Sequence, residues 1–236
     1  MTLEPTYQSM AAVFDDALFP EVDVALRQGR HIHRGETERY AFLTEASDYL
    51  ERWYRRYGCD LVRTADGYFY LLPQVDRIRR RQLGLAEMLL GKILALLYLE
   101  PATLQRGGVV DRTQALQSLT TLVGQENLLL RLNPRRTRRD ERTEQENVRR
   151  ELDRALRVLC ELGFADRLDE DQVRLQPPIL RFAESVRSAS DPHAALAEMI
   201  RAGRAVLVSA DSSAEGGEGL APADDAEQSG GQEDES

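Results

Sequence analysis

Cys59-Asp60-Leu61-Val62-Arg63, a turn at Ala65-Asp66-Gly67, and Tyr68-Phe69-Tyr70-Leu71-Leu72 are the stretch on which the reading of this chain turns. β-branched and aromatic residues flank a polar, glycine-containing turn, the pattern of a tight antiparallel hairpin. The pattern recurs at Gly163-Phe164-Ala165-Asp166-Arg167-Leu168, a turn at Asp169-Glu170-Asp171, and Gln172-Val173-Arg174-Leu175. The same order precedes each copy: a helical segment, a short polar break, then a longer amphipathic helix. Helices closed by a small two-stranded wing describe a winged-helix unit, a variant of helix-turn-helix. The expected fold class is mainly α with small β-hairpins (α+β): tandem winged-helix domains, C-terminal helices and a disordered acidic tail.

Working outward, residues 1–9 read as a flexible N-terminus and 10–73 as the N-terminal winged-helix domain. Helical periodicity runs from Met10 to Leu18 and resumes at Pro20, a residue suited to a first helical turn. Arg30 to His33 reads as a short extended segment. Glu36 to Tyr57 reads as one long helix with Phe42, Ala46, Tyr49, Trp53 and Tyr57 on its apolar face. Residues 74–83 form a linker. The C-terminal winged-helix domain spans 84–176. It opens with an apolar helix over 84–99 that stops before Pro101. A short strand follows the bend at Gly107-Gly108, and Asp111 or Thr113 caps the next helix. Thr143 to Leu162 forms a helix with Val148, Leu152, Leu156, Leu159 and Leu162 on one face. Pro177-Pro178 and Asp191-Pro192 each start one further helix, placing C-terminal helices over 177–204. Residues 205–236 carry too little apolar surface to offset the entropy of ordering.

Charge locates the acidity. The chain has 31 bases and 40 acids, a net charge of −9. Residues 211–236 hold nine of those acids and no base, so residues 1–210 are neutral as a whole. The overall acidity therefore does not argue against a nucleic-acid surface on the body. The tail itself reads as a solubilising appendage or as a nucleic-acid mimic. Lys92 is the only lysine; the remaining bases are arginines, which match a GC-rich genome and hold phosphate bidentately. Cys59 and Cys160 form no CxxC pair, and no secretory signal precedes them, which suits a reducing cytoplasm. The apolar run from Leu85 to Leu99 is too short to span a bilayer, so no membrane partner is expected.

No catalytic, cofactor or metal site is expected. The chain contains no phosphate-binding glycine loop and no nucleophile with an evident base. His31 and His33 alternate on a short strand without further ligands at metal spacing and read as surface or interface residues. Asp15-Asp16 and Asp169-Glu170-Asp171 read as solvated acids. A basic segment does stand out. Arg131, Arg135, Arg136, Arg138, Arg139 and Arg142 crowd a loop, and Arg149, Arg150, Arg154 and Arg157 continue along the next helix, away from its leucines. Such a surface can follow a phosphate backbone without reading bases. The alternative is a solvated face in which Glu141, Glu144, Glu146, Glu151 and Asp153 neutralise the arginines. Trp53, Tyr54, Tyr68 and Tyr70 crowd the first unit, as core or as interface anchors. Alternation puts Tyr68 and Tyr70 on the hairpin face opposite Phe69.

The ordered set Leu18-Phe19-Pro20, Ala25-Leu26-Arg27-Gln28-Gly29-Arg30-His31-Ile32, Ala41-Phe42-Leu43, Arg56-Tyr57, Gly67-Tyr68-Phe69-Tyr70-Leu71-Leu72-Pro73, Gly91-Lys92-Ile93-Leu94 and Leu97-Tyr98-Leu99 resembles the MukE family. The likeness runs from about residue 14 to 203, with an acidic tail in the same place. It implies a kite-type, non-ATPase subunit of the bacterial condensin-like complex MukBEF, built of tandem winged-helix domains and forming a homodimer. It implies binding to the kleisin subunit MukF and, through it, to the SMC-type ATPase MukB, in the cytoplasm on the nucleoid. The complex compacts and segregates the chromosome, and ATP hydrolysis belongs to MukB. Two departures stand out: the loop 133–142 is richer in arginine than the family pattern, and the basic positions on the following helix differ. Individual DNA contacts therefore do not transfer. The expected DNA interaction is weak, salt-dependent and without sequence preference, on double-stranded DNA. The competing function is a winged-helix transcription regulator that reads one operator.

Overall fold

The same seven-element order occurs twice. In the computed structural model, which describes residues 6–75, 81–124, 128 and 141–202 (side chains from 146 in the last stretch), the first half runs α1 (Met10–Phe14), α2 (Phe19–Arg27), β1 (Ile32–His33), α3 (Thr37–Glu45), α4 (Ser47–Arg55), β2 (Cys59–Arg63) and β3 (Tyr68–Pro73). The second half runs α5 (Leu85–Tyr98), α6 (Pro101–Gln105), β4 (Val109–Asp111), α7 (Arg112–Val123), α8 (Glu141–Glu161), β5 (Ala165–Arg167) and β6 (Gln172–Leu175). A 3-10 segment (Pro177–Val186) and α9 (Pro192–Arg201) follow. Both halves belong to one unit, Met1–Val206; Leu207–Ser236 is the other. The tail expected to be disordered lies outside the described residues.

Mixed helix and small antiparallel sheets give an α+β fold. Each expected hairpin is present and each gains a third strand. The earlier short strand pairs with the hairpin's second strand, so the orders are β1-β3-β2 and β4-β6-β5, all antiparallel. A lone two-stranded hairpin is marginal in water, and the added strand supplies the missing pairing.

The expected single helix over 36–57 is two helices. The chain leaves helical geometry at Ala46 (φ −92°, ψ 3°), which is wholly buried. Thr44 Oγ1 donates to the Tyr40 carbonyl (2.8 Å) and Ser47 Oγ to that of Thr44 (3.1 Å), so two hydroxyls take up carbonyls around the break. Such back-bonding by Ser and Thr bends helices. The break moves the apolar stripe by one residue: Leu50 and Tyr54 are buried, while Tyr49, Trp53 and Tyr57 are half-buried. A second difference lies at α1, which stops at Phe14 rather than Leu18. Asp16 there accepts from the Leu18 amide (2.8 Å) and the Tyr7 hydroxyl (2.6 Å), turning the chain with its side chain. Asp16 is thus a turn residue, not a solvated acid.

The second half is organised around α5, every residue of which from Leu89 to Leu97 is buried. Helices α7, α8, α9 and the 3-10 segment all pack against it. Gly91 sits inside this helix because a Cβ there would enter the ring of Phe182. The close approach compensates the roughly 1 kcal/mol that glycine costs relative to alanine in a helix. Lys92 is 3% exposed, with its ammonium 3.7 Å from Met199 Sδ, and burial lowers its pKa.

The halves meet where β1 touches the end of α8. The His31 amide donates to the Leu162 carbonyl at 2.9 Å. Gly163 ends α8 with φ +78°, and a Cβ on it would collide with the His31 carbonyl oxygen. Two penalties converge on one residue. A left-handed L-residue costs about 1–2 kcal/mol, and the backbone of the other half cannot yield cheaply. Gly163→Ala is therefore expected to destabilise the chain by more than about 2 kcal/mol, measured by urea unfolding.

Candidate nucleic-acid and protein interfaces

Helix α8 buries Leu152, Ala155 and Leu159 and turns Arg149, Arg150, Arg154 and Arg157 to solvent. Among the described side chains, its acids neutralise that face only in part. Asp153 is drawn off the helix into an ion pair with Arg112, at the start of α7. Arg150 pairs with Glu146 at 2.6 Å, but both side chains are more than half exposed, so the bond is worth only tenths of a kcal/mol. Among the described residues, Arg149, Arg154 and Arg157 form no ion pair. Arg131, Arg135, Arg136, Arg138 and Arg139 lie outside the described residues. Arg142 falls in the first turn of α8, and its side chain lies outside them as well.

A cleft of about 410 Å³ opens beside this face, between α8 and the second hairpin, with Arg157 and Arg167 at its walls and Leu156 and Val173 in its lining. Cys160 also lines it. Burial pushes that thiol up to about 11, so it is protonated and unreactive near neutral pH. Among the described residues no three His, Cys, Asp or Glu side chains are grouped to hold a metal ion.

The four aromatics singled out in the sequence separate into three environments. Tyr54 is wholly buried in the first core, and burial raises its hydroxyl pKa; it is not an exposed anchor. Tyr68 is 2% exposed and Tyr70 half-buried. Both stand on the face opposite Phe69, as alternation requires, but that face meets the second half of the same chain. Tyr70 lies under the Arg181 guanidinium, 4.1 Å from its centroid, and 5.5 Å from the His31 ring. Of the two readings of Tyr68, core or interface anchor, burial inside this seam favours the first. Trp53 remains half-buried at the surface. It meets Phe14 edge-on at 5.0 Å and Tyr57 at 5.2 Å, and Phe14 in turn meets Phe19 at 4.8 Å. Phe14 is 38% exposed. The sequence pointed to Trp53; Phe14 and Phe19 join it only because α1 ends early and returns the chain over α4.

The two histidines beside Ile32 are not at the surface either. His31 and His33 are both buried, 4% and 1% exposed. His31 packs on Phe164 at 4.5 Å, and burial, reinforced by the Arg181 guanidinium, pushes its pKa down to about 3. Burial also lowers the pKa of His33, against the pull of Glu36 and Asp166.

A helical pair, short strand, helical pair and hairpin repeated twice, with an exposed arginine face on the second copy, define an α+β protein built of two three-stranded-sheet units. Residues 7–235 match the family described as "MukE-like family", and the chain belongs to that family. It is similar to "Chromosome partition protein MukE" of Escherichia coli (strain K12), at 38% identity over 202 residues covering 84% of this chain and 86% of the relative. The proteins of the same name from Yersinia pestis (37%, 84% and 86%) and Haemophilus ducreyi (34%, 83% and 83%) are similar over the same extent. No helix among the described residues is long and apolar enough to cross a membrane.

Because Tyr70 works inside the chain, Tyr70→Ala is expected to lower the stability of the isolated protein by about 2 kcal/mol, less than a full core truncation. Thermal unfolding followed by circular dichroism checks this.

Proposed function

We propose that the chain acts in chromosome partition as a non-catalytic, dimeric subunit of the condensin-like MukBEF complex, cytoplasmic and associated with the nucleoid. It binds the kleisin MukF and, through it, joins the ATPase MukB. The observation that carries this reading is the family membership over most of the chain. The twice-repeated topology supports it, since a helical pair followed by a three-stranded wing is the layout of a winged-helix domain. On this reading the two domains span 10–73 and 84–176.

The same reading gives the exposed arginines of α8 to double-stranded DNA. Arg150, Arg154 and Arg157 recur at i, i+4 and i+7 and so share one stripe roughly 10 Å long, with Arg149 beside it. Guanidinium groups in a row can hold successive phosphates, which positions a protein on a duplex without reading its sequence. Glu146 and Glu151 on the same helix oppose deep entry into a groove, which disfavours the operator-reading alternative. With about three phosphates neutralised, the logarithm of affinity should fall with the logarithm of salt at a slope of about −3. The triple variant Arg149→Glu, Arg154→Glu, Arg157→Glu is expected to lose at least about tenfold in affinity at low salt and most of that slope, with unchanged thermal unfolding. Fluorescence anisotropy on a mixed-sequence duplex measures both; an unaltered slope in the variant would remove DNA from α8.

The second contact is protein–protein. The Phe14–Phe19–Trp53–Tyr57 cluster leaves apolar rings at the surface of the first half, the composition favoured at interface centres. We assign the homodimer to this face. Phe14→Asp is expected to halve the mass seen by light scattering and to leave DNA affinity per chain largely in place.

A further inference from the structure

A histidine stands on either side of Ile32, His31 immediately before the two-residue strand β1 and His33 within it, and neither serves the surfaces described above. Each has a tautomer dictated by its neighbours. His31 Nδ1 lies 3.0 Å from the Leu162 carbonyl, which can only accept, so Nδ1 carries the proton. His31 Nε2 lies 2.7 Å from Arg181 Nη1, which can only donate, so Nε2 is the bare acceptor. At His33 the arrangement is reversed. Its Nδ1 accepts from the Gly35 amide at 3.1 Å, so the proton sits on Nε2. That nitrogen faces Glu36 Oε1 at 3.7 Å and, across the seam, Asp166 Oδ1 at 3.8 Å.

A second proton has no place on either ring. On His31 it would set an N–H against the Arg181 guanidinium, in a pocket walled by Tyr68, Tyr70 and Phe164. On His33 it would set an N–H against the Gly35 N–H and break the turn that leads into α3. Glu36 and Asp166 favour the charge through Oε1 and Oδ1, since Arg30 (3.1 Å) and Arg39 take Glu36 Oε2 and Gln176 (2.5 Å) takes Asp166 Oδ2, but the second proton would have to sit on Nδ1, against the Gly35 N–H and away from both carboxylates. These groups sit on the same seam that the His31–Leu162 backbone bond closes. We propose that β1 is a proton-operated latch: the two histidines join the halves of the chain only while neutral, and acidification releases the seam so that the halves can reorient.

The sign follows from linkage. Both rings have folded pKa values below that of a free imidazole, so the closed seam is fully stabilised above about pH 6.5 and loses stability as pH falls below it. Each pH unit below that point multiplies the opening of a seam held by one neutral histidine by about ten, until the folded pKa is reached. For His31 alone, opening should rise about 30-fold between about pH 7.5 and about pH 5.

The test uses the full chain labelled with ¹⁵N. Its three histidines make imidazole spectra simple, and His193, toward the surface on α9, is the internal reference. The expected spectra at pH 7.5 show His31 protonated at Nδ1 and His33 at Nε2. Native-state hydrogen exchange, corrected for intrinsic rate, should show the His31 amide losing protection about 30-fold by pH 5, with the α5 amides retaining theirs. In the double variant His31→Asn, His33→Asn, the seam amides should respond to pH no more than the α5 amides do. Opposite tautomers, seam protection that is independent of pH, or loss that the α5 amides share equally would each overturn the latch. The tautomer readout needs no variant, so a failure of the double variant to fold leaves the proposal open to refutation.

Discussion

Everything in this molecule hangs on one close approach: the His31 main chain laid against the C-terminus of α8. The Leu162 carbonyl is one of the orphan acceptors that every helix end leaves, and it is satisfied by the His31 amide and the His31 ring. Gly163 makes the contact possible because it turns the chain in the left-handed region and has no Cβ to keep the strand away. The helix that ends there is the one that presents the arginines. The strand that fits there is the one that completes the first sheet. The two halves of the repeat thereby form a single unit in which the first half braces the second.

That bracing divides the surface. The first hairpin turns Tyr68 and Tyr70 inward to His31 and Arg181, and Asp66 at its tip is tied to Arg187 at 2.7 Å. Its wing is occupied within the chain. The second helix–hairpin pair keeps its arginine face open because Arg112 removes Asp153 from it. The first half keeps open the aromatic cluster around Phe14 and Trp53. An exposed arginine face on one half and an apolar aromatic face on the other are what the proposed role in holding partners together draws on.

Much of the fold was legible because it follows local rules. Period-two alternation marked both hairpins, and the leucine spacing of α8 marked its buried stripe. Pro20 and Asp191-Pro192 stood in first turns as written, with Asp191 Oδ1 accepting from the Ala194 amide at 2.9 Å. What local rules do not carry is what long-range contact decides. The break at Ala46 leaves no proline or glycine in the sequence; it follows from hydroxyl back-bonding and from a small residue at a crowded crossing. The segments that supply the third strand of each sheet were legible as short extended chain at Arg30–His33 and after Gly107-Gly108, but their pairing with the hairpins was not. His31, His33, Tyr54 and Tyr68 look like surface or interface candidates in a polar, aromatic-rich stretch, and only the packing of the second half on the first shows why they are covered. The arginines of α8 were legible as a face, but the fate of Asp153 depended on Arg112, far earlier in the chain.

The proposed function makes this two-fold repeat a scaffold for other macromolecules, with the kleisin as its principal partner. The most direct measurement is light-scattering mass after size exclusion, for the chain alone and then mixed with its cognate kleisin. The account predicts a dimer that moves into a stable, larger complex of fixed stoichiometry. A chain that elutes unchanged beside the kleisin, while retaining one particular operator duplex over mixed-sequence DNA, would contradict it.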